Sequence, residues 1–278
     1  MTERYQLNRI SQGRDKKYND PESYRVPAEA LLRYSGKVYR RDQFICMATY
    51  IGDGFWLTTW DTVEDRSYAT SWVYHDLKIV SKPFAGDLDI RENVEWVVQL
   101  PHKPLLLMKT EPGPKRQPDS HPLYGPGAVE VAPLFDLLAE TPFRYLWRIG
   151  YISDVHNLKS IPDDELPYVT PGYTAGDMFH SWYRSGSDEI ADAKTTINVH
   201  CCFDYPHKPD LGSPVVLQDG RLAAILVSGG LGPQYSHQGA IIPLELVKPT
   251  VRLWSMRHDH EKNFSSRSHV TFVPQFDE

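Results

Sequence analysis

Two stretches of this 278-residue chain concentrate side chains that could bind a metal or attack a carbonyl. His200, Cys201, Cys202, Asp204 and His207 are all ligand types for a tetrahedral cation such as zinc. In a strand, alternate side chains face opposite ways, so His200 and Cys202 share one face and Cys201 takes the other. The run therefore reads as strand core and strand surface, and no metal or other cofactor is expected. The second stretch is Pro209-Asp210-Leu211-Gly212-Ser213-Pro214, a tight turn with one hydroxyl, Ser213, and one carboxylate, Asp210. A serine attacks a carbonyl only when an adjacent base takes its proton. A third group, His258, His260 and Glu261, reads as a solvated helix end rather than a ligand set.

The elements that must hold these residues are short and β-rich. Apolar runs such as Phe44 to Ala48 and Val94 to Leu100 carry β-branched and aromatic residues and are broken by Gly, Asp and Pro. Sixteen Tyr, ten Phe and twenty-two Pro fit an all-β chain with many turns. Apolar residues at 41% and charged residues at 24% exclude the disordered class. Thirty basic against thirty-six acidic residues leave a net charge of −6, which repels polyanions, so nucleic acid is not expected as a partner. The three cysteines, Cys46 and the adjacent Cys201 and Cys202, do not make a disulfide framework. No window approaches the apolar run of about 18 residues that a membrane span needs, and the N-terminus has no apolar signal region. An intracellular location, cytoplasmic or nuclear, is expected. A mature chain trimmed of its signal is the alternative.

Five regions follow. Residues 1–27 read as a polar arm, with Pro21 and Pro27 discouraging regular structure. Residues 28–109 read as a first barrel. Residues 110–143 read as a linker, dense in Pro and Gly from Thr110 to Gly127 and closing with a short helix over Pro133 to Thr141. Residues 144–248 read as a second barrel, with strands at Leu146 to Ile152, Thr195 to Cys202 and Arg221 to Val227. Residues 249–278 read as the remainder of a helix begun at Leu244, kinked at Pro249 and ending near Met256, followed by a surface tail.

Three landmarks in order carry a resemblance. Thr49 to Val63 is a hairpin pattern containing Leu57-Thr58-Thr59-Trp60-Asp61. Lys103-Pro104-Leu105-Leu106-Leu107-Met108-Lys109 is an apolar strand, and Pro209 to Val216 leads through Gln218-Asp219-Gly220 into another. These resemble, in sequence order, the segments carrying the histidine, aspartate and serine of chymotrypsin- and trypsin-like serine proteases, including HtrA-like ones. Ile149-Gly150-Tyr151 and Gly239 to Leu244 are similar to further strands of that family. The resemblance spans about Ala28 to Leu253. It implies an all-β, two-barrel chymotrypsin-like fold with a short linker helix and a C-terminal helix.

The chemistry that the resemblance implies is missing. Leu211 stands at the nucleophile position and has no atom that can attack. Asp61 stands at the base position, where an ordinary carboxylate is a poor acceptor for a hydroxyl proton. The aspartate position is Lys103 or Pro104. Pro209 replaces a glycine whose amide would help bind the oxyanion, and loss of one such donor costs on the order of 3 kcal/mol. Ser213, two residues beyond Leu211, is the remaining candidate nucleophile. Asp210 is either the partner of an internal ion pair, as in trypsin-like relatives, or a surface carboxylate.

The reading that results is a catalytically inactive protease homologue, not an enzyme, that binds a protein or an extended peptide. In the resembling family a segment after the hairpin pairs with the substrate backbone. Here Ser228, Gly229 and Gly230 occupy that place, with Leu211 as a neighbouring apolar anchor, and the other reading of the two glycines is a plain turn. An assembly subunit using other surfaces is the first alternative, and a hydrolase with a relocated nucleophile is the second. The sequence leaves the oligomeric state open.

Overall fold

A computed structural model describes residues 6–7, 21–63, 76–81, 89–100, 105–110, 131–138, 145–150, 168–174, 197–201, 208–228 and 238–264. Six strands form a closed antiparallel barrel: β2 (Ser35–Arg40), β3 (Gln43–Gly52), β4 (Phe55–Thr59), β5 (Leu77–Ser81), β6 (Ile90–Gln99) and β7 (Leu105–Thr110). They close in the order β2-β3-β4-β7-β6-β5. Tight turns set the registers. Gly52, Asp53 and Gly54 all have positive φ, and the β3–β4 hairpin turns through them. Inward-facing residues of this barrel, among them Val38, Cys46, Trp56, Ile79, Val97 and Met108, make one buried cluster.

The second sheet holds β8 (Tyr145–Gly150), β9 (Tyr168–Thr174), β10 (Ile197–Cys201), β11 (Pro214–Leu217), β12 (Leu222–Ser228) and β13 (Gln238–Pro243). β8 pairs with β11 on one side and β9 on the other, so the ring β8-β9-β10-β13-β12-β11 returns on itself. Numbered within each half, both rings run 1-2-3-6-5-4. The repeat is thus one of topology, carried by no fixed-spacing sequence repeat. A two-residue strand, β1 (Gln6–Leu7), adds in parallel to Tyr168 and Val169 of β9.

Among the described residues, four α-helices complete the fold. The expectation of no regular structure around Pro21 and Pro27 is corrected, because α1 spans Pro21–Tyr34. Pro21 opens it, where a helix has no use for an amide hydrogen. Pro27 removes one internal bond, but Ala28, Leu31 and Leu32 beside it are buried in the main core and outweigh that loss. α2 is the single turn Trp60–Val63, and α3 covers Leu134–Leu138 inside the expected linker helix. The stretch 111–130, which contains most of the expected linker, lies outside the described residues.

α4 runs Leu244–Phe264 with Pro249 in its second turn, so the helix does not stop near Met256. His258 is not a solvated end either. It is buried, edge-on to Phe55 and Trp96 with ring centroids 5.6 and 5.1 Å away, and its Nε2 lies 3.8 Å from Glu95. Leu244, Val247, Val251 and Trp254 bury the same stripe in the main core, which joins residues of both barrels. The helix therefore fastens the second barrel, from which it springs, to the first. No helix among the described residues is long and apolar enough to cross a membrane.

Candidate functional site

The turn Pro209 to Ser213 leaves a short 3-10 segment, Lys208–Asp210, and leads into β11. Its backbone is fixed from both sides. Within the second barrel, Gly212 N–H donates to Leu226 O at 2.8 Å, Leu226 N–H donates to Ser213 O at 3.0 Å, and Ser213 N–H donates to Asp210 O at 3.1 Å. From the first barrel, Met47 N–H donates to Leu211 O at 3.2 Å, and Thr49 Oγ1 donates to Gly212 O at 2.8 Å. Gly212 has φ +90° and packs so closely that a Cβ there would lie 2.1 Å from Met47 O and 2.4 Å from Thr58 Oγ1. Only glycine fits this position, so its occurrence in the motif has a physical cause.

Asp210 is no surface carboxylate. Arg148 of β8 donates from Nη1 to Asp210 Oδ2 at 3.3 Å, with the two side chains only 8% and 3% exposed. Gly150 makes room for it, since a Cβ at that position would sit 2.7 Å from Asp210 Oδ1. The internal ion pair is therefore the reading of Asp210 that holds.

Leu211 is half-buried and packs against the interior cluster of the second barrel, which includes Leu146, Val215, Ala224 and Leu226. Its partial burial follows because a leucine beside an apolar cluster gains by leaving water. Ser213 is completely buried, and its hydroxyl oxygen has no hydrogen-bond partner among the described residues. A nucleophilic serine needs solvent access and a base within hydrogen-bond reach, and among the described residues Ser213 has neither.

Asp61 follows the end of a strand of the first barrel. Thr59 ends β4 opposite Leu105, and Leu100 N–H donates to Leu105 O at 2.9 Å. Asp61 begins two residues beyond Thr59, in α2. The Gly212 turn meets Thr58, the residue before Thr59. The Gly212 turn thus lies one residue from the end of β4, after which α2 carries Asp61. The side chain of Asp61 and all of Lys103 and Pro104 lie outside the described residues.

On β12, the pairing with β11 reaches Ile225, and the Gly212–Ser213 backbone takes both polar groups of Leu226. Ser228 pairs with Ala240 of β13 after a bulge. Among the described residues no strand lies on its other side. Gly229 and Gly230 lie outside the described residues, as do Cys202, Asp204, His207 and the side chains of His200, Cys201, His260 and Glu261. Among the described residues no group of three or more His, Cys, Asp or Glu is placed to hold a metal. Sequence reasoning did not find Arg148, Met47 or Thr49 as partners of the turn. Only Gly150 gave a signal, as a small residue in a strand, which marks a close approach.

Two six-stranded barrels of one topology, joined through a turn between β10 and β11 and closed by a C-terminal helix, define the chymotrypsin-like two-barrel fold. A crystal structure of Rv3671c from M. tuberculosis H37Rv, a serine-to-alanine mutant in its inactive form, is similar to this chain with a TM-score of 0.51, over 84% of this chain and 92% of that one. Sequence identity is 14%, so the likeness is one of fold. No protein-family model and no curated protein sequence matches the chain.

Proposed function

We propose that this protein is a catalytically inactive member of the chymotrypsin-like fold that binds an extended protein segment at its former cleft. The observation that carries the reading is the turn at Leu211. Its backbone is held by five hydrogen bonds and a buried ion pair, yet it presents a leucine where the fold would present a nucleophile. Chemistry at this turn would need an attacking atom and an oxyanion donor, and Leu211 and Pro209 supply neither. Burial of Ser213 argues against a relocated nucleophile.

Binding needs less than catalysis does. An extended segment added to β12 at Ser228 would use backbone N–H and C=O groups, with Leu211 at its side. The test begins with capture of the partner from the native source, followed by calorimetry with the binding segment identified in it. Gly229→Pro removes a backbone donor at the proposed edge and should abolish binding while the fold persists. Leu211→Asp should weaken binding too, but its half-burial means that it also lowers stability, so a melting curve must accompany it. Unchanged affinity in a folded Gly229→Pro variant would place the partner elsewhere. An assembly subunit that uses other surfaces is the second reading, and Leu253 and Met256, apolar and exposed on α4, favour it.

A further inference from the structure

Leu211 is not alone in closing the apolar interior of the second barrel. The segment 131–137, which carries most of α3, is seated on the same cluster: Ala132 and Leu137 are buried in it, and Leu134 packs against it as Leu211 does. The two seats lie at opposite ends of β11. Leu211 stands just before Pro214, where that strand begins. The segment 131–137 meets the hairpin beyond Leu217, where it ends: Val131 bridges Leu222 in parallel, Ala132 N–H donates to Leu222 O at 2.9 Å, and Asp136 pairs with Arg221 at 2.7 Å. At about 3.3 Å per residue, β11 holds the seats roughly 10 Å apart. Leu146, Val215, Ala224, Leu226 and Ile241 fill the interior between them.

The grip on this segment is part apolar and part polar. α3 is five residues long, far below the length at which a helix is stable by itself, so its order comes from its seat. At the rim, a carboxylate oxygen of Glu245 accepts the Leu134 N–H, and Arg221 is shared between Asp136 and Asp219. Close-packed interiors transmit strain, so a shift of Leu137 at one end is felt at the other. From this arrangement we infer that the segment 131–137 is a plug whose seating sets the order of the Leu211 turn, so that the linker regulates the cleft from the opposite end of the second barrel. By reciprocity, a segment bound beside Leu211 would seat the plug more firmly. The regulatory sense rests on the cleft reading proposed above, whereas the coupling is a property of the free protein and is tested without a partner.

The test is native-state hydrogen exchange of the full chain. Leu137→Asp puts a charge into the apolar seat, and Asp136→Asn weakens the rim while leaving the interior intact, which keeps the test alive if the first variant does not fold. Exchange at Ala132 N–H should accelerate by about a hundredfold in Leu137→Asp and about tenfold in Asp136→Asn. Gly212 and Met47 N–H, which hold the turn, should accelerate with it, while Leu100 and Thr110 N–H of the first barrel keep their wild-type rates. Acceleration at Ala132 with wild-type rates at Gly212 and Met47 would overturn the coupling. Equal acceleration at all five amides would show a global loss of stability instead of a plug, and wild-type exchange at Ala132 in the folded variants would show that the segment does not open separately; either result overturns the inference. Failure of the cleft reading alone, seen as unchanged affinity in Gly229→Pro, leaves all these rates as expected.

Discussion

Arg148 and Asp210, sixty-two residues apart in sequence, meet 3.3 Å apart inside the protein and fix the turn that carries Leu211. Buried charges of this kind are costly to leave single. Asp210→Asn or Arg148→Met alone should therefore lower the unfolding free energy by about 3–5 kcal/mol. Combining Arg148→Met with Asp210→Asn should recover part of the loss, because no lone charge remains. Urea denaturation of the three variants measures this, and a double variant no more stable than either single one would show that the pair acts through geometry instead.

Gly212 is a tight point of contact between the barrels. A methyl group there meets Met47 O at 2.1 Å on a backbone with φ +90°, so Gly212→Ala must push the turn away from β3. Strain and overpacking together should cost about 3 kcal/mol or more. Thermal melting checks the loss, and hydrogen exchange at Met47 should accelerate as its bond to Leu211 O is broken. A variant with wild-type stability would mean that the two barrels are not sealed by this turn.

The β2–β3 hairpin turns through Arg41 and Asp42, with φ of 48° and 64°, a conformation in which glycine is more at ease. Asp42→Gly should raise stability by up to about 1 kcal/mol. The ion pair from Lys78 to Asp42, 3.7 Å long and exposed, contributes little to set against it. A fall in melting temperature would reverse this account of the turn.

His258 plugs α4 into the first barrel between Phe55 and Trp96. His258→Ala should leave a cavity and cost about 2–4 kcal/mol, with hydrogen exchange rising first in the last turns of α4. Uniform exchange across the chain would mean that the helix end is not a separate fastening.

Much of the fold was legible in the sequence because hairpin turns announce themselves. Gln218-Asp219-Gly220 and Gly52-Asp53-Gly54 stand between apolar runs, and the observed strands lie where those runs do. Other elements were hidden for physical reasons. α1 was obscured because proline breaks helices in their interior, yet Pro21 sits at the start. β1 is two residues long and shows no periodicity. The last turns of α4 are polar, and only the distant Phe55 and Trp96 explain why His258 is buried. At the site, the tight turn at Gly212 was readable from the motif around it. The burial of Ser213 and the partner of Asp210 were not, because both depend on contacts between segments far apart in the chain.

The central claim is that the scaffold persists without hydrolytic chemistry, and the most direct measurement is turnover of casein and of activated peptide esters by the purified protein. Wild type and Leu211→Ser should both be indistinguishable from buffer, since the serine would lack a base and Pro209 would still deny the oxyanion a donor. Turnover that survives Leu211→Ala and disappears in a folded Ser213→Ala variant would contradict the claim and assign a relocated active site.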